Sequence, residues 1–131
     1  IFVFFIVVAL LLTRTPGFPD DRRARDDSII TLAAQLNAKP LGAIIYDHWL
    51  TWQMGYYIGP WSDKRRVYYP EPHLQAQDAL LNPDPAPRYL IAPDGEAVQP
   101  WVDAFATAGF AVTAGDAPPG FRVYEIIPPR R

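Results

Sequence analysis

Five short apolar runs, punctuated by proline and glycine, alternate along most of this chain with windows of helical periodicity. The runs are Gly42-Ala-Ile-Ile-Tyr46, Val67-Tyr-Tyr69, Arg88-Tyr-Leu-Ile-Ala92, Phe110 to Ala114, and Phe121 to Ile127. A helix from Asp27 or Ser28 to about Leu36 is expected before the first run, with Ile29, Leu32, Ala33 and Leu36 on one face. A second is expected from His48 to Tyr57, closed by Gly59-Pro60, and a third from His73 to Leu81 with Leu74, Ala76, Leu80 and Leu81 inward. A fourth opens at Pro100 and reaches Ala108. It sets Val98, Trp101, Val102 and Phe105 on one face, with Gly109 as its left-handed end.

The order αβαβαβαββ predicts an α/β fold: a mostly parallel sheet of about five strands with helices on both faces. Too few residues separate the last two strands for a crossover. The last strand is therefore expected to run antiparallel at an edge. The prolines end elements and do not cluster into a recognition tract.

Ahead of this domain lies Ile1 to Leu12, IFVFFIVVALLL, apolar without a break. As a helix it spans about 18 Å, short of a ~30 Å hydrocarbon core. A signal-peptide core would have a basic segment before it and small residues after it, and this run has neither. A buried helix apolar on every side needs a larger host. Residues 1–13 thus read as the end of a transmembrane helix whose start precedes Ile1. Residues 14–27 read as a charged juxtamembrane connector, and 28–131 as the α/β domain. The connector contains Pro16, Gly17 and Pro19, and then eight residues from Asp20 that comprise four Asp, three Arg and one Ala. Arg14, Arg22, Arg23 and Arg25 would favour the cytoplasmic side.

Composition narrows the chemistry. The chain has 131 residues, half of them apolar, which suits one globular domain rather than disorder. A net charge of −2 argues against a nucleic-acid reader. Zero Cys excludes disulfides, thiolate metal sites and Cys nucleophiles, and two His are too few for a His-rich site. No GxGxxG, GxxxxGK[ST] or GxSxG occurs. After the first strand stand Asp47-His48-Trp49-Leu50, bulky and acidic where a phosphate loop needs glycines. Asp47 is read as a helix cap rather than as half of an acid/base pair with His48. Glu71 and His73 read as loop residues, and Glu125 has no obvious partner. No catalytic residue, cofactor site or metal site is expected.

The window from His48 to Ile58 is apolar over more than one sheet face can cover. Trp49, Trp52 and Tyr56 form one stripe, while Leu50, Met54, Tyr57 and Ile58 form a second. Only His48, Thr51 and Gly55 make a polar arc. Either neighbouring elements enclose the whole helix, or the aromatic stripe meets a membrane surface or a transmembrane partner, where amphipathic Trp and Tyr are favoured. On the second reading Trp49, Trp52 and Tyr56 are contact residues, joined by Phe2 and Phe5 of the apolar run.

The stretches Gly42 to Tyr57, Val67-Tyr-Tyr-Pro70 and Pro87-Arg-Tyr-Leu-Ile-Ala-Pro93 resemble the C-terminal soluble domain of some bacterial multi-pass glycosyltransferases. These are similar to glycosyltransferase family 39, the protein mannosyltransferases and lipid A aminoarabinose transferases. The resemblance covers roughly residues 1 to 127 and rests on apolar and aromatic patterns. It implies a transmembrane helix followed by a small extracytoplasmic α/β domain, in an enzyme that uses polyprenyl-phosphate sugars. The family's catalytic carboxylates lie in an early loop between membrane helices, so none carries over to this chain. The expected role is therefore a non-catalytic, membrane-anchored domain whose partners are membrane lipid and other transmembrane helices. The alternative is a single-anchor accessory subunit of another membrane protein complex. The extracytoplasmic side follows the family's topology and sets aside the arginine count.

Overall fold

A computed structural model of the chain describes residues 20–58 and 63–130, with side chains from Asp27 onward. Among the described residues are four helices and five strands. They are α1 (Asp20–Asn37), β1 (Ile44–Tyr46), α2 (Thr51–Ile58), β2 (Arg65–Val67), α3 (Pro72–Leu81), β3 (Arg88–Pro93), α4 (Gln99–Thr107), β4 (Ala111–Ala114) and β5 (Phe121–Ile127). The strands form one sheet in the order β2-β1-β3-β5-β4. β1 pairs parallel with both β2 and β3, and β5 pairs antiparallel with both β3 and β4.

The fold is thus mixed α/β with helices on both faces. One face carries α1 and α2, which bury Ile29, Leu32, Leu36 and Met54 against Ile45, Ile91 and Val123. The other carries α3 and α4, which bury Ala76, Ala79, Trp101 and Phe105 against Ile44, Tyr46, Leu90 and Ile126. The periodicity of β5 explains this double coverage, since Phe121 and Val123 join the first core and Ile126 joins the second.

That same strand corrects one expectation. β5 is antiparallel, but it lies between β3 and β4 rather than at an edge. Of the two hairpin strands it is the one with buried apolar side chains for both cores, and it pairs with β3 along six residues, Arg88↔Ile126 to Pro93↔Phe121. β4 takes the edge. Its Ala111, Thr113 and Ala114 are exposed, and such small or polar residues cost little there.

Three further differences have local causes. α1 begins at Asp20, so the expected connector is helical over its last eight residues and the boundary at Ser28 cuts a helix. Asp21 and Arg25, and Arg22 and Asp26, stand four apart in sequence, a spacing that supports a helix. Asp27 is consequently interior, and its carbonyl accepts the Thr31 hydroxyl at 3.0 Å. β2 lies at Arg65–Val67 rather than at Val67–Tyr69, because β1 is only three residues long and its ladder ends where Asp47 N donates to Val67 O at 3.0 Å. α3 turns Gln75, Ala76, Asp78 and Ala79 inward and leaves Leu80 and Leu81 exposed.

The rotation of α3 follows from a buried polar network. Arg65 donates to both carboxylate oxygens of Asp78, at 2.9 and 2.6 Å. The Tyr46 hydroxyl donates to Asp78 Oδ2 at 3.4 Å and accepts from Arg88 Nη1 at 2.8 Å. The other arm of the Arg88 guanidinium binds the Asn82 and Asp84 carbonyls. The arginine thus fastens the proline-rich loop 82–87 to the sheet. Burial pushes the Tyr46 hydroxyl up to about 12, against the opposing pull of Arg88.

The expected transmembrane helix end, with Phe2 and Phe5, lies outside the described residues. Among those described, no helix is long and apolar enough to cross a membrane.

Candidate functional site

In an open α/β sheet, ligands gather outside the carboxyl ends of the parallel strands, where the chain leaves one strand to one side and returns on the other. Here that point lies between β1 and β3. β1 leads through α2 to β2 on one side, and β2 leads through α3 to β3 on the other.

Asp47 is the first residue beyond β1 and is fully buried. Its Oδ1 accepts the backbone N–H groups of Trp49 and Leu50, both at 3.0 Å, and the Leu50 carbonyl then takes the first helical bond of α2 from Met54 at 2.8 Å. The carboxylate therefore shapes the turn that launches α2, as expected of a cap, although the helix proper starts at Thr51 rather than at His48. Asp47 Oδ2 is buried with no hydrogen-bond partner among the described residues. Burial pushes its carboxyl up to about 6, although the Leu50 and Trp49 amides and the nearby His48 pull it down.

Around this turn stand aromatic rings. Trp49 lies 4.8 Å from Trp101, and His48 lies 4.7 Å from Trp101, centroid to centroid. Gln75 of α3 donates to the Asp47 carbonyl at 3.1 Å and to that of Tyr69 at 3.0 Å. On the α1–α2 side the carboxyl ends of β1 and β3 enclose a crevice of about 460 Å3. Its walls include Ile29, Trp49, Leu50 and Phe121, with Asp94 and Glu96 on the loop after β3.

The sequence stripe on α2 divides. Trp52 and Tyr56 are 74% and 76% exposed, whereas Trp49 is half-buried and packs on both cores. Leu50, Met54 and Ile58, the second stripe, are buried as expected. Gly55 faces Arg66, whose Nη1 would stand 3.3 Å from an added Cβ. Glu71 and His73 are exposed at the start of α3. Glu125 is exposed and sits opposite Tyr89 in the β3–β5 ladder. Among the described residues no group of three or more His, Cys, Asp or Glu is placed to hold a metal ion.

Sequence reading did not foresee the crevice or the Asp78–Tyr46–Arg88 network. Charged residues at Asp78 and Arg88, in the middle of a helix and at the start of a buried strand, were its only signal. The chain matches no known protein-family model, no curated protein and no solved structure.

Proposed function

We propose that this chain is a membrane-anchored, non-catalytic α/β domain that docks through the outer face of α2. In the setting implied by its resemblance to family 39, it is the terminal extracytoplasmic domain of a polyprenyl-phosphate-sugar-dependent glycosyltransferase, and the docking partner is the membrane-embedded part of that enzyme. One observation carries the docking reading. Trp52 and Tyr56 are the two large aromatic side chains most exposed on a helix whose opposite side is locked into the core through Met54 and Ile58. Adjacent exposed aromatics of this size are typical of interface anchors, since each buries a large area at low conformational cost.

The course of α1 supports the same reading. Ser28 and Ile29 reach the crevice beside Trp49 and Gln53. The first turns of α1, from Asp20, therefore lead away from the carboxyl edge of the sheet, on the side that carries α2. The apolar run Ile1 to Leu12 precedes them by a few residues.

The test is a photo-crosslinking amino acid in place of Trp52 in the protein as made in its native membrane. A crosslink into membrane-spanning helices of the same polypeptide is the expected result. A crosslink to a separate membrane protein turns the reading to the accessory subunit. No crosslink, with the chain recovered from the aqueous fraction, refutes membrane docking altogether.

A further inference from the structure

β4 ends the sheet, and the geometry of its ladder fixes which of its backbone groups face outward. Gly115 N donates to Val123 O at 2.8 Å, one step beyond the pair Ala114↔Tyr124. Hydrogen-bonded and non-hydrogen-bonded pairs alternate along an antiparallel ladder. Ala111, Thr113 and Gly115 therefore bond to β5, while the N–H and C=O groups of Val112 and Ala114 point away from the sheet. Among the described residues no strand pairs with that side. Ala111 and Thr113 on one face of β4, and Ala114 on the other, are exposed, so neither helix layer covers the strand.

The two edges of the sheet are guarded differently. β2, the opposite edge, carries Arg65 and Arg66, charges that discourage an added copy of the same strand. The β4 edge has no charged side chain from Phe110 to Gly115. Two copies of β4 related by an axis normal to the sheet run antiparallel, and their outward groups meet only if even-numbered residues face even-numbered ones. Centred on Val112, the pair sets the Ala114 carbonyl opposite the Phe110 amide, which already donates to the Phe105 carbonyl at 3.0 Å. Centred on Ala114, it sets the Val112 amide opposite the Asp116 carbonyl, which already accepts from Gln35. Centred on Thr113, it sets Val112 of each copy against Ala114 of the other, and every outward N–H and C=O of both residues finds a partner. The same register places Thr113 against Thr113, a favourable cross-strand pair, and Asp116 against Phe110 rather than against another acid.

We propose that β4 is a self-association edge: two copies of this chain pair through it, antiparallel about Thr113, and join their sheets into one. A ladder this short buries little area, so the dimer is weak, with a Kd on the order of 100 µM.

The chain contains no Cys, so single cysteines report the pairing in the full chain. Thr113→Cys places two thiols in a non-hydrogen-bonded pair with Cα atoms about 4.5 Å apart, within disulfide reach, whereas two Ala111→Cys thiols stand about 13 Å apart. Under copper–phenanthroline oxidation of the purified chain, Thr113→Cys is expected to form a disulfide dimer about tenfold faster than Ala111→Cys. Thr113→Lys sets like charges together on the axis. It should keep the chain monomeric in sedimentation equilibrium at concentrations where the parent's average mass rises, with an unchanged thermal midpoint because Thr113 is exposed. Trp52→Ala should leave the Thr113→Cys crosslinking rate unchanged, which separates this edge from the docking face. The proposal is overturned if Thr113→Cys forms no dimer at about 500 µM, if Ala111→Cys crosslinks as fast, if Thr113→Lys associates like the parent, or if Trp52→Ala abolishes the crosslink. A Thr113→Cys crosslink made only to a different protein in native membranes overturns it as well.

Discussion

Asp47 accepts the Leu50 amide through one carboxylate oxygen at 3.0 Å, while its other oxygen is buried without a hydrogen-bond partner among the described residues. The side chain therefore combines a favourable cap with an unfavourable buried charge, and the two can be separated by substitution.

Asp47→Asn keeps an acceptor at the Oδ1 position and removes the charge. Burial raises the Asp47 carboxyl from 3.8 to about 6 in the folded chain. Its contribution to stability is thus fully present below pH 4 and is lost as pH rises through 6. The loss is on the order of 3 kcal/mol by pH 7. The Asn variant should be more stable than the parent at pH 7 and should show a flatter stability profile between pH 4 and 7. Urea melts across that range check it, and an Asn variant that is weaker at pH 7 with an unchanged pH slope would contradict it. Asp47→Ala, which also loses the cap, should fall below Asp47→Asn by about 1–2 kcal/mol at every pH.

The two stripes of α2 make opposite predictions. Met54→Ala removes a fully buried side chain and should cost about 2–5 kcal/mol. Trp52→Ala removes an exposed one and should change stability by less than about 1 kcal/mol while weakening membrane or partner association. Denaturant midpoints of a fragment starting at Asp20 measure both. Equally large losses would mean that α2 is enclosed.

Arg88→Met should be costly although the volume is nearly conserved. It leaves the Tyr46 hydroxyl and the Asn82 and Asp84 carbonyls without their donor, at about 1–3 kcal/mol for each group that stays buried and unpaired. Loop 82–87 should then become the first site of limited proteolysis. A variant with parental stability and an intact loop would show that the network is replaceable by packing.

The start of α1 gives a boundary test. Ile29 is buried in the core, and a chain beginning at Ser28 leaves it in a fraying first turn. A fragment from Ser28 should be less stable than one from Asp20 by about 1–3 kcal/mol, the scale of one buried aliphatic side chain. Circular dichroism melts of the two fragments decide it.

Much of the architecture was legible because local rules and tertiary packing agree. Leu32 and Leu36 of α1, Met54 and Ile58 of α2, and Trp101 and Phe105 of α4 are buried where helical periodicity puts them. Gly109 takes the left-handed conformation, φ 93°, that its position after α4 calls for. The candidate site was legible only in part. Trp52 and Tyr56 were readable as a stripe, and Asp47 as a cap, but nothing local said that Trp49 would leave that stripe for the core.

The amino-acid sequence by itself determined the alternation of helices and strands, the α/β class and the antiparallel sense of β5, because periodicity and a short β4–β5 connection are properties of neighbouring residues. Tertiary structure alone decided the order of the strands. A hairpin can join a sheet through either of its strands, and β5 joins because its side chains complete both cores while β4 has little to bury. The same holds for α3, whose leucines lost the inward face to Gln75 and Asp78 once Arg65, Tyr46 and the Asp47 carbonyl were there to pair with them. A buried polar group is stable only with partners, and two of the partners of Asp78, Tyr46 and Arg65, come from β1 and β2, which lie outside its own helix and loop.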